Sequence, residues 1–438
     1  MKFSEYNLIF KDDNCEGKYI LFNTFNGSIF RIDSETKEKI ESNNILALSE
    51  KVLLDYKSTG IILEDTIDEK NIFEYFHNKA KFDNDLLSIT LLLTQACNLS
   101  CTYCFEGDNL ENKISLNEEY WEKIYKFLIN QAEVRKSKTI HIVLFGGEPL
   151  LNFKRNKEWL NKIKEFCDKT NRNFSTSIIT NGTLITDEIL DILVEYNCNM
   201  IQITLDGIKE IHDTRRIYKN GKGSFEEVLK GIKIVYNRQD FVKPVIRINI
   251  DKENIDNTED LIELLRDEGL TDVRIDFGIV KINKDACNSY SGQCFLEEDL
   301  GNVLEELWSI LEKNGFKVYE KPFKKYTFCG LYGDAAFTIT PNGDLYKCWE
   351  HVGNERHRIG KINNDGNVSE TFAAYFEWMS RNPLNIEECK ECVYLPACGG
   401  GCTSISFNNN GTYNAPGCYK TKGVVEKQLK HYIKSKNI

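Results

Sequence analysis

The chain has 438 residues, 41% of them hydrophobic and 28% charged, which leaves room for two or three packed domains and excludes a disordered or low-complexity protein. A formal net charge of −11 argues against bulk binding to a nucleic-acid backbone. No apolar run approaches the roughly 20 residues that span a bilayer, and Met1-Lys2-Phe3-Ser4-Glu5 is charged where an export signal turns apolar, so a cytoplasmic protein is expected.

Residues 1–85 read as a small α+β unit followed by a linker. Tyr6–Lys11, Tyr19–Phe22 and Ser28–Ile32 have strand composition, with Asn26-Gly27 as a hairpin signal between the last two. Helices are expected near Ser34–Glu41 and Ser49–Ser58, and Ile61-Ile62-Leu63 as a wing. The charged stretch Glu64–Asp85 reads as a linker with one helix. From 86 to 284, strand and helix alternate. Strands are expected at Leu87–Leu93, Thr139–Phe145, Ser175–Thr180, Met200–Leu205, Val245–Ile250 and Val273–Val280, with amphipathic helices such as Asn117–Ala132, Lys157–Cys167, Asp187–Tyr196, Phe225–Tyr236 and Thr258–Glu268 between them. Six β/α units imply an α/β fold with a parallel sheet in an open, partial (β/α)6 barrel and chemistry at the C-terminal strand ends. Residues 285–328 form a bridging region. Residues 329–438 break into short cysteine-punctuated segments that close with a helix near Gly423–Ile433.

Fifteen cysteines without an export signal point away from disulfides and toward metal or redox chemistry. The first cluster, Cys97-x3-Cys101-x2-Cys104, follows the first strand of the alternating series. Three such thiolates can hold three irons of a four-iron cluster and leave the fourth for a small molecule. A zinc site with a remote fourth ligand uses the same residues. Gly146-Gly147-Glu148-Pro149 ends the second strand, where the glycines allow close backbone approach and the carbonyls with Glu148 can receive an ammonium group. Singly, Asn181-Gly182 or Asp206-Gly207 reads as a turn and Tyr103 as core.

Taken with Thr180-Asn181-Gly182-Thr183, Leu205-Asp206-Gly207, His212-Asp213-Thr214-Arg215-Arg216, Arg247 and Asn249, these motifs make Leu87–Val280 resemble the radical S-adenosylmethionine (SAM) enzymes. The resemblance implies a 4Fe-4S cluster on Cys97, Cys101 and Cys104. It implies that Gly146, Gly147, Glu148 and Pro149 hold the methionine amino group of SAM and that Tyr103 lies near the adenine. Thr180, Asn181, Asp206, Arg216, Arg247 and Asn249 complete the implied SAM site.

A second constellation runs from Cys329 through Cys348 to Cys389-x2-Cys392-x5-Cys398-x3-Cys402 and Cys418. It resembles the SPASM extension of radical SAM enzymes, which carries two auxiliary 4Fe-4S clusters; a pair of zinc knuckles is the alternative. The resemblance implies an outer cluster on Cys389, Cys392, Cys398 and Cys418 and an inner one on Cys329, Cys348 and Cys402. Family members with eight ligands carry a further cysteine before the Cys329 equivalent, whereas Lys321–Lys325 holds none. The inner cluster then either has an open iron, suited to a substrate thiolate, or borrows Cys287 or Cys294. Cys15, Cys167 and Cys198 read as ordinary buried thiols.

The shared chemistry implied is reductive cleavage of SAM to a 5′-deoxyadenosyl radical, with electrons from a donor such as flavodoxin or ferredoxin. Residues 1–85 resemble the winged-helix recognition element of ribosomal-peptide maturases, which adds a precursor's leader to its sheet as an extra strand. The expected function is thioether formation between cysteine sulfur and a carbon of a ribosomally made precursor, as in clostridial maturases of short cysteine-rich peptides. Carbon–carbon cross-linking, sulfatase maturation and a non-catalytic iron–sulfur carrier are the alternatives. The lead of about 85 residues and the Trp349-Glu350-His351 sequence after Cys348 count against the sulfatase reading.

Overall fold

The structure, a computed structural model, describes residues 1–13, 15–104, 106, 113–281, 292–318 and 321–436. At the N-terminus, β1 (Lys2–Phe3) precedes β2 (Asn7–Lys11), β3 (Lys18–Asn23) and β4 (Ile29–Asp33), and the last three form an antiparallel sheet in chain order. Alternation along β3 separates the two faces of this sheet. Leu21 packs with Ile40, Ile45 and Tyr56 around α1 (Ser34–Glu41) and α2 (Glu50–Ser58), while Ile20 and Phe22 pack on Val425, Leu429 and Ile433 of the C-terminal helix Val424–Lys436. Both helices begin where the sequence supplies a cap: Asp33 accepts from Thr36 N and Ser49 from Val52 N.

Two expectations for this region change. Ile61 and Ile62 are buried, and β5 (Ile62–Leu63) pairs with β1, so the segment closes the unit instead of projecting as a wing. The one helix expected in Glu64–Asp85 is present as α3 (Glu69–Lys81), but it is packed and not a linker, burying Phe73, His77 and Lys81. Its contacts are tertiary: His77 Nδ1 bonds Tyr326 O at 2.6 Å, and Lys81 Nζ donates to Met379 O and Arg381 O. Charge content in the sequence does not reveal such pairing.

The six parallel strands follow: β6 (Leu86–Thr94), β8 (Thr139–Gly146), β9 (Asn173–Thr180), β10 (Cys198–Thr204), β12 (Lys243–Ile250) and β13 (Arg274–Ile279). Between them lie the short β7 (Leu99–Cys101) and β11 (Arg216–Tyr218) and helices α4 (Glu118–Arg135), α5 (Phe153–Lys169), α6 (Asp187–Glu195), α7 (Lys209–Arg215), α8 (Phe225–Tyr236) and α9 (Thr258–Asp267). The parallel strands neighbour one another in chain order. One sheet face, with Ile140, Ile142, Leu144, Ile246 and Ile248, is buried in the main apolar core. The other is polar in its middle, where His141 bridges Ser175 and Ser177.

The sheet does not end at six strands. After α10 (Leu300–Lys313), β14 (Ala336–Ile339) pairs in parallel with β6, and β15 (Asp344–Tyr346), β16 (Gly360–Ile362) and β17 (Val368–Thr371) continue antiparallel beyond it. The result is one ten-stranded open sheet. Four residues, Ala-Phe-Thr-Ile, carry too little periodicity to announce that junction in sequence. No helix among the described residues is long and apolar enough to cross a membrane.

Candidate active site

The loop after β6 carries Cys97, Cys101 and Cys104. Its form is set by β7, which pairs antiparallel with β11 so that Cys101 faces Arg216 and Leu99 faces Tyr218. Thr102 N also donates to Arg215 O at 3.0 Å. The three thiols lie within electrostatic reach of one another. Burial pushes Cys97 up to about 11 and Cys101 up to about 12, and for Cys101 the Arg216 guanidinium opposes the shift. A cation accepting these sulfurs must displace their protons, which binding to iron achieves.

Gly146 and Gly147 let the end of β8 press against β6. A Cβ on Gly146, at φ +137°, would sit 2.1 Å from Thr94 O, and one on Gly147 would sit 2.5 Å from Ala96 O. Gly147 N and Glu148 N donate to these same carbonyls. Glu148 is fully buried and accepts from Leu150 N at 3.0 Å, Thr180 Oγ1 at 2.7 Å and Asn181 N at 2.7 Å. Pro149 follows at the start of a buried turn. Asn181 Nδ2 in turn lies 3.8 Å from Cys97 Sγ and donates to Asn98 Oδ1 at 2.8 Å. The cysteine loop, the double-glycine turn and the end of β9 therefore form one hydrogen-bonded unit.

Four of the remaining residues singled out in the sequence meet around one phenol. Tyr103 Oη donates to Asp206, Arg216 Nη1 donates to Tyr103 Oη at 2.7 Å, and Asn249 Nδ2 donates to it at 3.1 Å. Asn249 N returns to Asp206 Oδ1 at 2.8 Å. Burial raises Asp206, against the pull of Arg216 and Arg215. Arg247 reaches this group only through Asn249 Oδ1, 3.1 Å from its Nε, and its other end pairs with Asp276.

The second set of cysteines divides in two. Cys389, Cys392, Cys398 and Cys418 act on one another electrostatically and together line a cavity of about 160 Å³. Cys329, Cys348 and Cys402 form a separate mutually interacting trio. Among the described residues, no three His, Cys, Asp or Glu side chains converge tightly enough to hold a single metal ion. A four-thiol-lined cavity of this size suits a polynuclear group better than one zinc. Cys294 is buried, and Cys287 lies outside the described residues. Cys167 and Cys198 are buried as expected, but Cys15 is half-exposed because it sits in the turn between β2 and β3.

The structure gives further residues supporting roles that the sequence did not assign. His212 Nδ1 accepts from Asp206 N at 3.2 Å, and its Nε2 meets Ser224 Oγ at 3.0 Å. Burial holds this imidazole well below its ordinary value, so it is the neutral acceptor that Asp206 N requires. Arg215 pairs with buried Asp251 at 2.7 Å, and Asn254 Nδ2 donates to Asp206 O at 2.8 Å. Lys281, just past β13, pairs with Glu350 at 2.7 Å, and Ser404 Oγ donates to the same carboxylate at 3.0 Å. This chain joins the parallel strand ends to the Cys348–Cys402 trio. His212 and Arg215 stand in the motif His212–Arg216 singled out in the sequence; Asp251, Asn254, Lys281 and Ser404 carried no signal there.

The Radical SAM superfamily description matches residues 91–265. A cysteine-type anaerobic sulfatase-maturating enzyme of Clostridium novyi is 28% identical over 78% of this chain and 96% of its own length. An uncharacterised protein of Methanocaldococcus jannaschii is 30% identical over 59% of this chain and 84% of its own. The radical SAM cyclopropyl synthase TigE of Paramaledivibacter caminithermalis is 23% identical over 90% of this chain and 88% of its own. Among solved structures, anSMEcpe with bound AdoMet superposes with a TM-score of 0.61 at 19% identity, covering 81% of this chain and 98% of that one. Streptococcus suis SuiB bound to precursor peptide SuiA covers 95% of this chain and 98% of that one, with a TM-score of 0.51 at 17% identity. With the cysteine loop, the double-glycine turn and the Tyr103 cluster joined in one hydrogen-bonded unit at the strand ends, the chain belongs to the Radical SAM superfamily, among relatives that include peptide and sulfatase maturases.

Proposed function

We propose that this protein is a radical SAM peptide maturase that joins cysteine sulfur to carbon in a ribosomally made precursor. Cys97, Cys101 and Cys104 would hold the SAM-binding 4Fe-4S cluster. Cys389, Cys392, Cys398 and Cys418 would hold an outer auxiliary cluster, and Cys329, Cys348 and Cys402 an inner one. With SAM bound, the first cluster would supply the electron for its reductive cleavage, so that SAM's 5′-deoxyadenosyl group could take a hydrogen atom from substrate carbon, and an auxiliary cluster would accept the electron released as sulfur–carbon bonding proceeds; the thiol proton would leave to solvent. The chain's own residues bind and orient. Glu148 locks the double-glycine turn to the end of β9, and Tyr103, held by Asp206, Arg216 and Asn249, presents a fixed aromatic face beside the cysteine loop.

The observation that carries the thioether reading is the trio. Cys329, Cys348 and Cys402 share one neighbourhood, and the stretch Lys321–Lys325 just before Cys329 holds no cysteine. A three-thiolate cluster leaves one iron for substrate sulfur. The N-terminal sheet, whose β2 and β4 are both edge strands, supports leader recognition by strand addition. SuiB, which matches over the N-terminal region as well, is recorded with its precursor peptide bound.

The reconstituted enzyme should contain about 12 iron per chain, the content of three four-iron clusters. With dithionite, SAM and a cysteine-containing precursor it should release 5′-deoxyadenosine. The product should have lost one hydrogen molecule's mass per cross-link and carry a cysteine that no longer alkylates. Turnover that leaves every precursor thiol free removes the thioether assignment. Deleting residues 1–85 should weaken precursor binding while uncoupled SAM cleavage persists; equal binding removes the recognition role. Sulfatase maturation is the second reading, favoured by the Clostridium novyi relative's near-complete coverage. It predicts a cysteine or serine converted to formylglycine on an isolated sulfatase peptide.

A further inference from the structure

One fully buried cation in the cysteine-rich domain has no anion. Arg381 has none of its surface exposed. Its Nε donates to Tyr413 O at 2.6 Å, and its Nη2 to Gly400 O at 2.6 Å and Ala415 O at 3.2 Å, all neutral acceptors. Its Nη1 is buried with no hydrogen-bond partner. Two more buried cations share the neighbourhood. Lys81 Nζ donates to Arg381 O at 2.8 Å, and Lys347 Nζ donates to Ala336 O at 2.6 Å. The acid that acts on both lysines, Asp334, is engaged by Arg135 and Tyr375. Among the described residues no carboxylate pairs with Arg381. A guanidinium does not shed its proton to escape burial, and an uncompensated buried charge costs several kcal/mol.

The compensating charge has one evident place. Arg381 acts electrostatically on Cys389. A Cβ on Gly400 would lie 3.2 Å from Arg381 Nη1, and Gly400 lines the same cavity as Cys389, Cys392, Cys398 and Cys418. Four thiolates around a 4Fe-4S core carry net negative charge. Reduction adds one electron to it, so a fixed neighbouring cation stabilises the reduced form more than the oxidised one. We propose that Arg381 is the charge partner of the outer cluster, a positioning residue that raises its reduction potential. The inference rests on the assignment of those four cysteines as cluster ligands.

The test is potentiometric titration of the full-length reconstituted protein followed by electron paramagnetic resonance, on wild type, Arg381→Lys and Arg381→Met. A wild type with no auxiliary-cluster signal defeats the ligand assignment itself, before Arg381 is in question. Given that signal, Arg381→Met should lower one auxiliary potential so that the reduced-to-oxidised ratio at fixed applied potential falls about tenfold, equivalent to about 59 mV for one electron. Arg381→Lys should stay within about threefold of wild type. Loss of one cluster's iron from Arg381→Met but not from Arg381→Lys also supports the proposal, because the conservative variant keeps the charge. Unchanged potentials in an iron-replete Arg381→Met protein overturn it. So does equal iron loss from both variants, which marks a purely structural role.

Discussion

The two cysteine-bearing regions match their buried cations differently. Around Cys97–Cys104, Arg215 pairs with Asp251, and Arg216 reaches the Asp206 carboxylate through the Tyr103 hydroxyl while its Nε has no hydrogen-bond partner. Around Cys389–Cys418, Arg381 and the nearby Lys81 rest on carbonyl oxygens. The first region thus supplies carboxylates for its arginines from the chain itself. On the proposed assignment, the second would draw its negative charge from a thiolate-ligated iron–sulfur cluster. Buried charges are tolerated when paired, so the contrast says which region depends on its guest.

The largest expected effect breaks the first region's chemistry without breaking its fold. Replacing Cys97, Cys101 and Cys104 together with Ala should abolish SAM cleavage and remove one cluster's iron, about four of 12 atoms per chain. Far-ultraviolet circular dichroism should change little, because the thiols contribute few of the hydrogen bonds described above. Retained 5′-deoxyadenosine release in the triple variant is incompatible with the site as drawn.

Next comes stability. Arg215→Met leaves Asp251 buried without its cation and should cost about 3–5 kcal/mol in denaturant unfolding. Adding Asp251→Asn should recover part of that loss, because the remaining partner no longer carries charge. A cost under about 1 kcal/mol for the single variant means that the pair is solvated and the first region less prebuilt than its geometry indicates.

Iron removal sharpens the contrast directly. In metal-free protein, hydrogen exchange should accelerate at least tenfold across residues 381–420, where repulsion between Arg381 and Lys81 is uncompensated. Residues 139–180, tied together through Glu148, should keep their protection. Uniform acceleration across both regions removes the distinction.

Sequence reading was sound where a residue's role is local. The six parallel strands and the helices between them lie close to where periodicity put them. It failed where a role is made by tertiary contact. Lys81 reads as one charge in a charged linker, and only the fold shows it donating to carbonyls some 300 residues away. Arg381 is one arginine among many until its burial is known. The β14 junction with β6 rests on four residues whose pattern fits a loop equally well. Buried polar groups are chosen by their partners, and partners distant in sequence leave no periodic trace.

The smallest effect tests how the helix before the parallel strands is tied to the cysteine-rich C-terminal region. His77 is fully buried on α3, between Phe73 and Tyr332. Its Nδ1–H donates to Tyr326 O, so the neutral ring is the bound form, and burial pushes it down to about 4. In the unfolded chain an imidazole titrates near 6.5. Between those values the unfolded state binds more protons than the folded one, so stability rises with pH; equivalently, it is lost as pH falls from about 6.5 to about 4. The loss attributable to His77 at pH 4.5 is about 2–3 kcal/mol. His212 and His351 are also held neutral by burial and steepen the wild-type curve, so the informative quantity is a difference. His77→Gln keeps a donor for Tyr326 O and has no proton to gain. Its unfolding free energy should fall less between pH 7 and pH 4.5 than that of wild type, by about 2–3 kcal/mol. Parallel curves for the two proteins would mean that α3 releases His77 to water before global unfolding, and that its tie to the cysteine-rich domain is the weaker link.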